Sequence, residues 1–180
     1  MQTNKLVIIA ALAAGMTSMT AFAAYTGSPT TGEIQFQGEL VNSACGLAPS
    51  SSPVVVDFGQ IPTSALANGQ QAGNIQKNIE LQDCDTTVAK TATVTYNPNT
   101  INTADNTLAA FTSGTASGAG IGLKDNASNN VAWGQKMTAV QLVNGTNKIP
   151  FVAYLKADNA SGAVTPGAFQ STVNFQIDYQ

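Results

Sequence analysis

The chain has 180 residues, enough for one domain with a hydrophobic core, and it contains neither arginine nor histidine. Its formal net charge is −3, and its lysines and carboxylates are scattered along the sequence. A nucleic-acid partner requires clustered cationic side chains, so this composition argues against one. Without histidine there is no Ser–His or Cys–His nucleophile pair and no imidazole metal ligand. We therefore expect no catalytic residue, no metal site and no cofactor, and conclude that the chain is not an enzyme.

The first 23 residues have the pattern of a secretory signal peptide. Lys5 gives a short positive segment, Leu6–Met19 is almost entirely apolar or small, and residues 21–23 (Ala-Phe-Ala) match a cleavage site. The apolar run is too short to span a bilayer comfortably and is interrupted by Gly15, which argues against a membrane anchor. We predict cleavage after Ala23 and no membrane insertion afterwards.

A clean period-two alternation follows the signal peptide. Residues 24–31 are small and turn-forming, and Gly32–Leu40 reads GEIQFQGEL, which predicts a strand with one apolar face. A strand needs neighbours for its backbone donors and acceptors. The alternation alone leaves two possibilities open. The strand belongs either to the sheet of its own domain or to the sheet of another subunit, by β-strand addition.

The two cysteines, Cys45 and Cys84, both lie in the mature chain. After export into an oxidising compartment they are most simply one disulfide, because there is no Cys-x-x-Cys and no histidine to complete a zinc site. Closing a loop of about 40 residues stabilises the fold by about 4 kcal/mol on the chain-entropy model. Asp83 and Asp85 flank Cys84 and could bind calcium, but we interpret them as a solvated strand end.

The rest of the chain consists of short apolar or alternating runs separated by turns rich in Gly, Asn, Pro and Ser. The expected strands are Val54–Phe58, Ile79–Leu81, Thr91–Tyr96, Ile121–Leu123, Val131–Trp133, Gln141–Val143, Ile149–Leu155 and Thr172–Gln180. Two hairpins are predicted, one around the loop Lys124–Asn130 and one around Asn144-Gly145. A single helical turn is allowed within Thr63–Ala72, and Ser113–Gly120 is predicted to be a loop. Such a chain is typical of an all-β antiparallel sandwich in one domain.

Four segments together resemble the chaperone–usher pilin family, and specifically the major subunits of type 1-like fimbriae. They are Gly32–Cys45 (GEIQFQGELVNSAC), Ile79–Cys84 (IELQDC), Asn144–Phe151 (NGTNKIPF) and Phe175–Gln180 (FQIDYQ), the last with the family's penultimate tyrosine. The resemblance covers essentially the whole mature chain, and the combination is specific although each piece alone is weak.

The resemblance implies an immunoglobulin-like sandwich that lacks its final strand and is completed by a donor strand from a neighbouring subunit. It divides the chain into a signal peptide (1–23), an N-terminal extension that acts as the donor strand (24–41) and a pilin domain (42–180). In the extension, the residues implied to enter the neighbour's groove are Gly32, Ile34, Phe36 and Gly38. In the C-terminal strand, the residues implied to line the groove and to be held by the chaperone are Val173, Phe175, Ile177 and Tyr179.

The implied function is that of a structural subunit of an adhesive fimbria, which polymerises by donor-strand exchange. Its implied partners are other copies of itself, related fimbrial subunits, a periplasmic chaperone and an outer-membrane usher. Its implied location is the cell surface, after transient passage through the periplasm. Two alternatives stay open: a minor adaptor or terminator subunit, and a free-standing secreted immunoglobulin-like binding module.

Overall fold

The computed structural model describes residues 27–28, 30–159 and 163–180. The predicted signal peptide and residues 24–26 and 29 of the predicted extension lie outside the described residues. The chain divides into two compact units, residues 1–39 and Leu40–Gln180.

Strands in the second unit form two main sheets, which confirms the all-β prediction. The strands are β1 (Gly46–Leu47), β2 (Gln71–Cys84), β3 (Thr91–Pro98), β4 (Ser113–Gly114), β5 (Ala119–Lys124), β6 (Val140–Gln141), β7 (Gly145–Ala157), β8 (Phe169–Gln170) and β9 (Val173–Tyr179). One sheet has the order β1-β2-β7-β5, the other has the order β6-β3-β9, and a short ribbon pairs β4 with β8. All of these pairings are antiparallel. Two 3₁₀ segments, Pro49–Ser51 and Thr63–Gly69, lie between β1 and β2.

One hydrophobic core lies between the two main sheets. Ile79 and Leu81 of β2 and Leu155 of β7 are almost completely buried, as alternation on a half-buried strand requires. The Tyr96 ring of β3 packs 6.2 Å from the Phe151 ring of β7, which joins the two layers. The architecture is therefore a two-layer sandwich.

The predicted disulfide is confirmed. Cys45, just before β1, is bonded to Cys84 at the end of β2, and both residues are buried. Because Gly46 and Leu47 pair with Gln82 and Leu81, the disulfide holds together two strand ends that are already neighbours. Asp85 accepts hydrogen bonds from the backbone N–H and the hydroxyl of Thr87, and no group of carboxylates among the described residues is placed to hold a metal ion.

The predicted hairpin around Asn144-Gly145 is wrong. β6 belongs to one sheet and β7 to the other, so the chain changes layers at this point. The buried side chain of Asn147 makes this corner: its Oδ1 accepts a hydrogen bond from the N–H of Val143, and its Nδ2 donates to the Val143 carbonyl. These side-chain bonds replace the ladder that a hairpin would have formed.

Two smaller expectations also differ from the structure. Val131–Trp133 is not a strand, although the Val131 N–H donates a hydrogen bond to the Leu123 carbonyl. Asp125 closes the turn that precedes Val131. Asp125 is buried. Its burial opposes ionisation, but hydrogen bonds from Thr138, Asn129 and Ala127 together hold its pKa below the usual range. Ser113-Gly114, predicted to be loop, forms β4.

A small satellite core lies on the other face of the β5–β7 pair. The Tyr154 ring covers Gly122, its partner across the two strands, and the Lys124 ammonium lies 5.6 Å from the centroid of that ring. Both Tyr154 and Leu108 are buried here, outside the main core. The Tyr154 ring thus lies so close to the backbone of Gly122 that there is no room for a side chain at this position.

We expect Gly122→Ala to lower the free energy of unfolding by about 1–3 kcal/mol, because the added methyl group overpacks this site. An ideal Cβ at Gly122 would lie 2.2 Å from Cζ of Tyr154. The measurement is urea unfolding of the purified subunit, with Gly46→Ala as the control. A Cβ at Gly46 would meet its nearest atom at 3.4 Å, an ordinary contact. Equal unfolding midpoints for the two variants would contradict the close packing of Tyr154 on Gly122.

Candidate functional site

An open apolar groove of about 710 Å³ runs along one side of the second unit. One wall is formed by Val54, Val55, Val56 and Phe58, and the other is the start of β9 with the residues before it, Ser171–Phe175. The floor comes from the facing strands of both sheets and consists of Ile79, Tyr96, Ile121, Leu123, Phe151 and Ala153. The groove therefore opens directly onto the hydrophobic core between the sheets.

β9 presents to this side a backbone edge that no strand of the described residues pairs with. Thr91 and Gln180 exchange both backbone hydrogen bonds, at 2.8 and 2.9 Å, which fixes the phase of the β3–β9 ladder. In an antiparallel pair only alternate residues direct their N–H and C=O groups at the partner strand. Asn174, Gln176 and Asp178 therefore bond to β3. The N–H and C=O groups of the remaining β9 residues, Val173, Phe175, Ile177 and Tyr179, point away from it.

These four residues also carry the apolar face of β9. Val173 and Phe175 line the groove, whereas Ile177 and Tyr179 pack half-buried against the core further along the same strand. Burial raises the pKa of the Tyr179 hydroxyl, so this residue is neutral at physiological pH. β9 thus has apolar side chains and free backbone groups at the same four positions, as an edge strand that can accept a further strand requires.

The opposite wall, Val54–Phe58, was predicted to be a strand, and the structure does not pair it. Val54, Val56 and Phe58 pack half-buried against the core, while Val55 and Asp57 are exposed, so the predicted alternation is present. None of the five residues makes a backbone–backbone hydrogen bond within the part of the chain that the structure describes. The prediction is wrong because alternation fixes the faces of a segment and leaves its pairing undetermined, and here no partner strand lies alongside.

Among the described residues, none that line the groove carries a charged side chain. Its one titratable group among the described residues, the Tyr96 hydroxyl, has its pKa raised by burial and by the charge of Asp125, so it stays neutral. An occupant with apolar side chains is therefore favoured, and one that brings a charge would lose its solvation without gaining a partner.

The first unit contains the predicted donor residues, and none of them lies in a strand. Residues 30–42 contain no strand, and the side chains of Ile34 and Phe36 are 78% and 91% exposed. An added Cβ at Gly32 or Gly38 would meet no atom within 4 Å. Leu40, at the next position of the same sequence alternation, is fully exposed and was not among the predicted donor residues.

Comparison with known proteins places the chain in a family. A family model described as "Fimbrial protein" matches residues 34–180. The chain is 59% identical to a major fimbrial subunit of Proteus mirabilis, with complete coverage of both sequences. The chain belongs to the fimbrial protein family. This fimbrial protein is also 37% identical to the Fimbria A protein of Serratia marcescens, again over all of both chains.

Solved structures agree with this assignment. The fimbrial chain is similar to a subunit in a chaperone–usher pilus described as revealing the basis of rod uncoiling, with 29% identity and a TM-score of 0.73 over 87% of this chain and all of that one. It is also similar to the P pilus rod subunit PapA, with 27% identity and a TM-score of 0.64 over 77% of this chain and all of PapA. The sandwich is therefore an incomplete immunoglobulin-like fold, as the resemblance implied. Among the described residues of this fimbrial protein, no helix combines the length and apolarity needed to cross a membrane.

Proposed function

We propose that this chain is a structural subunit of an adhesive surface fimbria, and that it polymerises when the extension of one copy enters the groove of the next. The observation that carries the proposal is that one protein contains both a strand edge without a partner and a segment that could supply one. β9 has a free edge above an open groove, and residues 32–40 have an alternating apolar face with no strand beside them.

Backbone geometry supports the insertion. A strand placed between Val54–Phe58 and β9 would bond to the free N–H and C=O groups of β9 on one side. On the other side it would bond to the unpaired backbone of Val54–Phe58. Insertion would thus join the two walls of the groove into one sheet.

Side-chain chemistry supports the same arrangement. Ile34 and Phe36 would enter the uncharged groove, and Glu33, Gln35 and Gln37, on the opposite face, would remain in water. Each fully buried side chain of this size contributes about 1.5–3 kcal/mol. The glycines on the same apolar face, Gly32 and Gly38, would fit where the groove leaves no room for a side chain. These proposed roles extend the family assignment to individual residues.

The open groove also explains why partners are needed before assembly. A subunit with an empty groove exposes part of its core and is prone to aggregate. We therefore infer that a periplasmic chaperone covers the groove after export and cleavage at residue 23. An outer-membrane usher then hosts the replacement of the chaperone strand by the next subunit's extension. β9, with its free edge, is the strand that the chaperone would grip.

The 59% identity with a subunit named as a major one favours the shaft subunit over an adaptor or terminator. A free-standing binding module is disfavoured, because a monomeric sandwich would have filled its own groove. An enzymatic role is disfavoured by the uncharged groove lining.

Denaturing electrophoresis without boiling tests the proposal. We expect surface material from cells that produce the wild-type chain to run as a ladder of multimers that collapses to one band on boiling. The reason is that strand insertion along a whole groove makes each joint kinetically resistant to detergent. A single monomer band from unboiled material would instead support the free-standing module.

A further inference from the structure

The sequence contains two Asn-Gly pairs, Asn68-Gly69 and Asn144-Gly145, and the structure places them in contrasting surroundings. Both asparagines are exposed. We propose that Asn68 is a site of spontaneous deamidation in the folded protein, and that Asn144 is protected from the same reaction by the fold. This modification site is independent of the proposed function.

Asn68-Gly69 forms a tight turn that ends the second 3₁₀ segment. Asn68 has φ 58° and ψ 28°, and Gly69 has φ 70°, so both residues are left-handed, as in a type I′ turn. A backbone hydrogen bond of 3.2 Å from Gln70 N–H to the Ala67 carbonyl closes the turn. The Asn68 side-chain amide makes no hydrogen bond with any described residue, so it is free to rotate.

Asn144-Gly145 lies at the corner before β7, and its side chain is held. The Asn144 Oδ1 accepts two hydrogen bonds from Thr86, one from the backbone N–H at 2.8 Å and one from the hydroxyl at 2.7 Å. Gly145 lies directly opposite Cys84, one half of the disulfide. Rotation of the Asn144 amide would break both bonds to Thr86 in a part of the chain that is covalently cross-linked.

The reaction itself needs only water. The backbone nitrogen of the glycine loses its proton and bonds to the side-chain Cγ of the asparagine, while the Cγ–Nδ2 bond breaks. The departing –NH2 group takes up a proton and leaves as ammonia, which gives a cyclic succinimide. Water then opens either carbonyl of the ring and yields aspartate or isoaspartate. Glycine favours the attack because it has no Cβ to block the approach, and both the asparagine amide and the backbone at its ψ angle must rotate to bring Cγ to the nitrogen. The amide of Asn68 is free to make its part of this motion, whereas the amide of Asn144 is held by its two hydrogen bonds to Thr86.

The product alters the turn in two ways. It adds a negative charge at residue 68 and, as isoaspartate, a methylene group to the backbone between residues 68 and 69. A type I′ turn depends on the dihedral angles of both central residues, so isoaspartate cannot reproduce it. The affected turn leads directly from the segment that buries Leu66 into β2.

Mass spectrometry of aged native protein tests the proposal. Trypsin separates the two sites: no lysine or arginine lies between Lys5 and Lys77, so Asn68 falls in the peptide that ends at Lys77, and Asn144 falls in 137–148. After incubation in mildly alkaline buffer and reduction of the disulfide, we expect the deamidated fraction at Asn68 to exceed that at Asn144 severalfold. An Asn68→Ser variant should lose the signal from the Asn68-Gly69 pair and keep that of Asn144.

The same incubation in denaturant, with the disulfide reduced, provides the control. Without the fold, both pairs should deamidate at similar rates. Equal rates in the native protein, or faster reaction at Asn144, would overturn the proposal. A difference that persists unchanged in denaturant would also overturn it, because the fold would then not be its cause.

Discussion

Deletion of residues 24–38 is expected to abolish fibre formation and leave a subunit that still binds its chaperone. The deletion removes Ile34 and Phe36 and lies entirely within the first compact unit, so β1–β9 and the disulfide stay intact. The truncated subunit would keep an open groove and the free edge of β9, but would have nothing to insert into the next copy. Electron microscopy of the cell surface, together with unboiled electrophoresis, measures the outcome. Normal fibres from this variant would defeat the donor-strand proposal.

A synthetic peptide of residues 30–41 tests whether the truncated subunit fails to form fibres because it lacks the donor strand or because it is misfolded. If the truncated subunit is folded around an empty groove, the peptide should bind it and raise its melting temperature, because a ligand that binds only the native state stabilises that state. The matched control peptide carries Ile34→Ser and Phe36→Ser, which keeps its length and charge. A truncated subunit that gains equal stability from both peptides would show that the apolar residues are not recognised.

The sequence was sufficient to predict the strands that have one apolar face and a partner along most of their length. Ile79–Leu81, Thr91–Tyr96 and Thr172–Gln180 all lie in or around observed strands, and the presence of two cysteines in an exported domain correctly indicated the Cys45–Cys84 disulfide. These features depend on local alternation and on redox compartment, both of which the chain itself encodes.

The sequence could not predict where the chain changes sheets or which wall segment lacks a partner. The corner at residues 143–147 depends on the buried amide of Asn147, and an exposed Asn-Gly hairpin gives a similar local pattern. Val54–Phe58 has the composition of a strand and its burial alternates, yet none of the described residues pairs with its backbone. Leu47 and Ala153 become groove residues only through strand order, which alternation does not specify. The existence of the groove therefore depends on the order of the strands in the sheets, whereas the sequence alone already showed that the strand faces are apolar.

Replacing Phe36 with aspartate should stop assembly, whereas replacing Gln37 with aspartate should not. Phe36 is exposed in the free chain and is the largest apolar side chain on the alternating face, so the substitution costs little within the subunit itself. In the joint, it removes about 3–5 kcal/mol of apolar packing. It also brings a carboxylate into a groove in which no described lining residue is charged and could pair with it.

Gln37→Asp adds the same charge one residue away, on the face that stays in water, and thus controls for charge alone. Pilus yield, measured by electron microscopy and by the unboiled multimer ladder, should be near zero for Phe36→Asp and close to wild type for Gln37→Asp. Unchanged yield for Phe36→Asp would remove Phe36 as an anchor. Equal loss in both variants would show that the extension is sensitive to any added charge, and the assignment of its inner and outer faces would then be wrong.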